Sequence, residues 1–174
     1  MRVGFGYYTF SLLATRNLSK VNILTLSMEN SSYYPYVLVA FQFGCLFYIA
    51  LTAPVLSSSI SGMLVESAGV FLAIHAIYVI RIRNVNITPT VKKNSELVTS
   101  GPYKIIRHPM YIAQIIAILP LVIEYYTLLR LVTLLVLIAT LLIKIQYEEK
   151  QLVSHFPEYD SYRLTSWKLI PYIY

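Results

Sequence analysis

The sequence predicts an all-α, polytopic membrane protein with four to five transmembrane helices. Hydrophobic residues make up 57% of the 174 residues, and the mean hydropathy is +0.62. Only 13% of the residues are charged, whereas a soluble domain has about 25%. Long apolar runs alternate with short polar turns, as expected of helices that cross a bilayer with roughly 20 residues each. We predict one integral-membrane domain over residues 1–174.

The placement of the positive charges predicts the orientation of these helices. A net charge of +6 would suggest nucleic-acid binding in a soluble domain, but the positive-inside rule explains the same charges here. With 15–32, 83–108 and 148–174 in the cytosol, every Lys and Arg except Arg2 and Arg130 lies inside or at that boundary. We therefore expect a cytosolic C-terminus and no nucleic-acid partner.

The first half of the chain contains a short apolar segment and two strong spans. Residues 1–14 are apolar but shorter than the roughly 20 residues that a spanning helix needs, so the helix count is four or five. The next span covers about 33–56, and its tyrosines suit an interfacial aromatic belt. The serine turn at 57–59 leads into a further span at about 60–82. A turn this short predicts an antiparallel hairpin.

Two ionisable residues, Glu66 and His75, lie within the second of these spans. Ionisable groups at membrane depth are functional candidates, although Glu66 is close to the interface. His75 is either a site residue or a packing residue held by a hydrogen bond. The single cysteine, Cys45, excludes a disulfide within the chain.

The second half predicts another hairpin after the longest polar interruption of the chain. Pro109 suits the first turn of a helix, where its missing N–H would have no partner. The apolar run 111–123 is short, and we expect Pro120 to kink it. A polar turn at 124–126 then leads into the last span, at about 127–147.

Three polar clusters emerge on the same predicted membrane face. In 95–103, a Gly-Pro turn is followed by a tyrosine, which offers an aromatic face and a hydroxyl. In 107–111, Arg-His-Pro-Met-Tyr at a helix start would present N–H groups to an anion. Lys144 and Glu148 lie one helical turn apart and share a face. Each alone also suits an interfacial or surface role, but their common face favours a functional site.

These residues resemble a known enzyme group. The segments are LVTSGPYKIIRHPMY (97–111), EEKQLVSHFPEYDSYR (148–163) and the terminal LIP. They are similar to the integral-membrane methyltransferases of the isoprenylcysteine carboxyl methyltransferase and phospholipid methyltransferase group, over about 84–171. The resemblance implies an S-adenosylmethionine-dependent methyltransferase with its site at the cytosolic membrane face. Its partners would be membrane lipid and a methyl acceptor that is an amphiphilic or small molecule.

The resemblance also implies roles for single residues. Arg107, His108 and Glu148 would serve the catalytic step, and Lys144 would bind the substrate. Arg107 also suits fixing the loop geometry or meeting an anionic headgroup. The cofactor would be bound by Ser95, Glu96, Leu97, Val98, Tyr103, His108, Pro109, Met110, Tyr111 and Glu148.

One departure from the family pattern leaves the acceptor open. Lys144 stands where the carboxyl methyltransferases have an arginine, so the bidentate fork for a carboxylate is absent. A carboxylate such as isoprenylcysteine is the family default, and a phospholipid amine or a small thiol is the alternative. A non-enzymatic membrane subunit or transporter is the other class. A transporter would place charges near the midplane, whereas most charges here lie at one face.

Overall fold

The computed structural model describes residues 33–84 and 96–174, and at 81–84 it describes the backbone only. Five α-helices form most of these residues. A short 3-10 helix, Gly101–Lys104, precedes the third α-helix. In the described ranges the pairing of Ile106 with Trp167 is an isolated β-bridge, outside any strand. The all-α prediction is confirmed. The helices are α1 (Tyr34–Thr52), α2 (Ile60–Asn84), α3 (Pro109–Glu124), α4 (Leu128–His155) and α5 (Tyr159–Thr165).

Three helices among the described residues are long and apolar enough to cross a membrane. They are α1, residues Ile60–Ile80 of α2, and α4, while α3 is a shorter apolar helix. Large apolar side chains such as Phe47 on α1 and Phe71 on α2 are exposed, as expected of surfaces that face lipid. The predicted segment 1–14 lies outside the described residues. All contacts below belong to one compact unit, Pro35–Tyr174.

The core lies between α1, α3 and α4. Cys45 packs against Leu137 and Leu141, and Ile49 packs against Val122 and Leu134. Lipid tails are as apolar as these side chains, so close packing rather than removal from water holds the helices together. Cys45 therefore acts as a small apolar packing residue.

Helix α2 packs along α3 through a crossing of small residues. A Cβ atom at Gly69 would lie 2.5 Å from the Ala117 nitrogen and 2.9 Å from the Ala113 oxygen. Such contacts bring two helix backbones close together. The sequence predicted hairpins of α1 with α2 and of α3 with α4, but the most extensive pairing is α2 with α3.

The predicted turns at 57–59 and 124–126 meet at one end of the bundle. The Ser58 N–H donates to Glu124 Oε2 at 2.6 Å, and the Ser59 hydroxyl donates to Glu124 Oε1. The Ser57 N–H donates to Glu66 Oε2 at 3.1 Å. Glu66 therefore caps this turn, which accounts for an ionisable residue inside a predicted span.

At the other end, helix α4 is longer than predicted. Helix α4 continues past residue 147 to His155, so Glu148 and Glu149 lie on the helix. Helix α3 continues through the buried Pro120 to Glu124. His75 is exposed on α2, with its ring centroid 6.0 Å from that of Phe71.

We expect Gly69→Ala to lower the thermal stability of the purified protein. The added methyl group would overlap the backbone of α3, and overpacking of this kind costs about 1–3 kcal/mol. Gly44→Ala is the matched control, because a Cβ atom at Gly44 meets nothing within 4 Å. That change should keep or raise the unfolding temperature, since alanine favours a helix by about 1 kcal/mol over glycine. Equal effects of both changes would contradict the close crossing.

Candidate active site

The C-terminal tail is hydrogen-bonded to the segment that leads into α3. The Arg107 N–H donates to the Trp167 carbonyl at 2.7 Å, and the His108 N–H donates to the Lys168 carbonyl at 3.2 Å. In return, the Trp167 N–H donates to the Ile105 carbonyl at 2.9 Å. Pro109 occupies the first turn of α3, where its missing N–H has no cost. The start of α3 is therefore held by the tail.

The Arg107 side chain is directed into the protein. Its Nε donates to Glu149 Oε1 at 2.8 Å, and these side chains are only 6% and 10% exposed. Its Nη1 donates to the Arg163 carbonyl at 3.2 Å and also to the Ser166 carbonyl. Removing one partner of such a buried pair costs about 3–5 kcal/mol. Arg107 thus ties together the segment before α3, the end of α4 and the tail.

His108 lies between the two carboxylates of α4. Its side chain is 5% exposed, with Nδ1 3.5 Å from Glu148 Oε2 and Nε2 3.6 Å from Glu149 Oε1. The ring is parallel to that of Tyr111, with centroids 5.6 Å apart. Burial opposes the charged form, but the two carboxylates outweigh burial and raise the pKa of His108. The two carboxylates therefore favour the protonated form of the ring.

Glu148 is the most accessible acidic member of this cluster. Its side chain is 28% exposed, whereas that of Glu149 is 10% exposed. The Tyr111 hydroxyl donates to Glu148 Oε2 at 2.9 Å. A carboxylate held in place by Tyr111 and His108, yet open on one side, is suited to contact a cationic group of a ligand.

Lys144 lies in a buried polar layer that joins α1, α3 and α4. Its residue exposure is 2%, and its ammonium group donates to Gln42 Oε1. The Gln42 amide donates to Gln114 Oε1 at 2.7 Å. The Lys144 nitrogen also lies 5.2 Å from the centre of the Tyr111 ring, within cation–π range. Lys144, the residue predicted to bind the substrate, is therefore in contact with Gln42 and Tyr111.

Two buried tyrosines adjoin the cluster. Gly101 has φ of 59°, which glycine adopts without strain, and it begins the 3-10 helix that contains Tyr103. Burial raises the pKa of Tyr103, and Glu148 raises it further. Burial and then Glu149 raise the pKa of Tyr159. Both hydroxyls therefore stay protonated at neutral pH.

Three buried polar atoms in this region have no hydrogen-bond partner among the described residues. They are Tyr103 Oη, His108 Nε2 and Tyr159 Oη. Buried polar atoms almost always have partners, so each exception calls for an explanation. These three atoms lie on different segments around the Glu148–Glu149 carboxylate pair. A polar ligand bound there could supply their missing hydrogen bonds.

The structure brings together six of the predicted site residues. The others lie at the edge of this cluster or outside it. Pro109 is buried, Met110 is half-buried, and Ser95 lies outside the described residues. Ahead of the 3-10 helix, Glu96 is exposed, while Leu97 and Val98 are half-buried. Five of the six are joined by contacts, and Tyr103 is buried close enough to them for the charge of Glu148 to raise its pKa. The five are Arg107, His108, Tyr111, Lys144 and Glu148.

Several residues of the cluster were missed by the sequence analysis. Glu149 was noted only as the neighbour of Glu148, although it contacts Arg107, His108 and, at 3.8 Å, Lys168. Gln42 and Gln114 could have been found, because amide side chains inside apolar spans need partners. The main-chain contacts of 166–168 leave no signal in a sequence.

A comparison with known protein families matches most of the described chain. A family model for phospholipid methyltransferases matches residues 57–159, more than half of the chain. The matched range extends from the serine turn to the start of α5 and includes Arg107, His108, Glu148 and Glu149. No curated protein and no solved structure matches the chain.

We expect the stability of the folded protein to fall as the pH rises above the ordinary histidine range. In the unfolded chain the pKa of His108 is about 6.5, whereas in the folded protein this pKa is raised. The stabilisation is therefore complete below the ordinary value and is lost as the pH rises through the raised value. Thermal unfolding across this range measures the effect.

His108→Gln should flatten this part of the profile, and His155→Gln, at an exposed position, should not. An unchanged slope in His108→Gln would contradict the assignment.

Proposed function

Because the chain belongs to the phospholipid methyltransferase family, we propose that it transfers a methyl group from S-adenosylmethionine to a membrane-partitioned acceptor. The observation that carries the proposal is the buried cluster at the start of α3, with Glu148 as its accessible acidic member. The cluster lies at the start of α3 and the end of α4, and α4 is long and apolar enough to cross a bilayer, which supports a site close to lipid. An amphiphilic acceptor can therefore keep its apolar part in the membrane.

The polar groups of the cluster fit S-adenosylmethionine. The unsatisfied Tyr103 Oη, His108 Nε2 and Tyr159 Oη match ribose hydroxyls and a carboxylate in hydrogen-bonding capacity. The cofactor supplies a methyl group on a positively charged sulfur, which an acceptor with a free electron pair can take up. By resemblance, Pro109, Met110 and Tyr111 would join these groups in binding it, as would 95–98 ahead of the 3-10 helix.

We assign different roles to the three predicted catalytic residues. Glu148 is accessible and suits contact with a cationic group of the cofactor or the acceptor. Nδ1 of His108 lies 3.5 Å from Glu148 Oε2, and the raised pKa of His108 favours its protonated form, so we assign it the role of orienting Glu148. Arg107 is occupied by Glu149 and two carbonyls. We therefore regard Arg107 as a positioning residue.

We favour a lipid amine as the acceptor over a carboxylate. Lys144 is engaged with Gln42 and the Tyr111 ring, and it lacks the guanidinium fork suited to a carboxylate. An amine must lose its proton before it can attack, and we propose that Glu148 binds the cationic amine, whose proton then passes to water. Methyl transfer then depends mainly on holding the acceptor in line with the donor.

We infer from the charge distribution that the cluster and the C-terminus face the cytosol. In this orientation the turns at 57–59 and 124–126 lie on the opposite side. A soluble cofactor would reach the cluster from water, and the acceptor would reach it from the adjoining leaflet. We also retain the proposal of one methyltransferase domain over residues 1–174.

Binding of S-adenosylhomocysteine to the purified full chain, measured by calorimetry, tests the assignment. Glu148→Gln should weaken binding by roughly tenfold or more, since a hydrogen bond to a charged group contributes about 1.5–3 kcal/mol. His108→Ala should also weaken binding. The matched control is Glu158→Gln, the same change at an exposed glutamate, which should leave the affinity unchanged.

Two results would separate the parts of this proposal. Absence of saturable binding to folded wild-type protein would contradict the cofactor. If Glu148→Gln leaves the affinity unchanged, the protein binds the cofactor but at a site that does not include Glu148. Transfer of labelled methyl groups to phospholipid amines, and not to a prenylated cysteine carboxylate, would then support the proposed acceptor.

A further inference from the structure

The end of the tail exposes a group of aromatic and aliphatic side chains. Trp167 is 40% exposed, Tyr172 87% and Ile173 77%. The rings of Trp167 and Tyr172 are in contact, with centroids 5.4 Å apart. A tight turn closes the segment, because the Leu169 and Ile170 N–H groups both donate to the Tyr174 carbonyl. We call Trp167, Tyr172 and Ile173 the tail tip.

The tail tip is held close to the point where the chain enters α3. The Trp167 main chain is bonded to Ile105 and Arg107, and α3 begins at Pro109. The tip is therefore anchored next to the first turn of an apolar helix in the bundle. Ile105, whose carbonyl accepts from the Trp167 N–H, also exposes its apolar side chain.

The chemistry of the tip suits the headgroup region of a bilayer. Tryptophan and tyrosine are enriched at membrane interfaces, because their rings are apolar with one polar end. Lys168 follows Trp167 and lies with its nitrogen 4.7 Å from the Tyr174 ring centre, and Lys104 is exposed on the 3-10 helix. Such cations can meet lipid phosphates while their stems lie along apolar surface.

We propose that the tail tip inserts into the headgroup region of the membrane that the helices cross. The partner of this surface is the lipid bilayer. Insertion holds the main chain at 167–168 against 105–108, and so it fixes the start of α3 from the membrane side. The proposal concerns the surface of the fold and does not depend on the reaction.

The chain offers a direct probe, because Trp167 is its single tryptophan. The full chain is placed in phosphatidylcholine nanodiscs whose lipids carry bromine either near the headgroups or near the bilayer centre. We expect a larger loss of tryptophan fluorescence with the shallow bromines than with the deep ones. Iodide in the water should quench less than it does in the unfolded chain.

A double variant, Tyr172→Ser with Ile173→Ser, removes the apolar part of the tip and leaves the probe in place. It should reduce quenching by shallow bromines and increase quenching by iodide. Val55→Ser is the control, because Val55 is 82% exposed in the turn between α1 and α2, and it should change neither. Full iodide quenching with no bromine quenching in the wild type would overturn the proposal. Protection from both quenchers would also overturn it, since a protein surface would then cover the tip.

Discussion

The rest of the site depends on one buried ion pair, between Arg107 and Glu149. It links the segment before α3 to the end of α4, and the same guanidinium binds the carbonyls of Arg163 and Ser166 in the tail. Three parts of the chain that are distant in sequence are thereby held together. Glu149 also faces His108, so the pair fixes the ring that orients Glu148. Loss of either partner would leave a buried charge alone, at a cost of about 3–5 kcal/mol.

A second polar layer lies deeper, between the helices. A lysine is costly in an apolar core, but the Lys144 ammonium group donates a hydrogen bond to Gln42 Oε1 and lies over the Tyr111 ring. Tyr111 belongs to both layers, because its hydroxyl binds Glu148. Displacement of α1 or α4 would therefore disturb the carboxylate. This connection gives a physical route by which a change in the packing of the helices could affect Glu148.

The sequence was sufficient for the fold class and the main spans, because these follow from apolar length and local chemistry. The start of α3 at Pro109 and the shared face of Lys144 and Glu148 were predicted from spacing alone. Long-range contacts were not predictable. Nothing local shows that Arg107 meets Glu149 or that the tail pairs with 105–108. The close approach of α2 to α3 depends on Gly69, whose role appears only once its neighbours are known.

The most direct test of the ion pair is hydrogen exchange of the full chain in Arg107→Lys, compared with Arg163→Lys. Lysine keeps the charge at 107 but loses the fork that binds Glu149 and the tail carbonyls together. Arg163 pairs with Asp160 at the surface, where such a pair contributes little. We expect faster exchange at 105–108 and 166–170 in Arg107→Lys alone. Unchanged protection of both segments would contradict it.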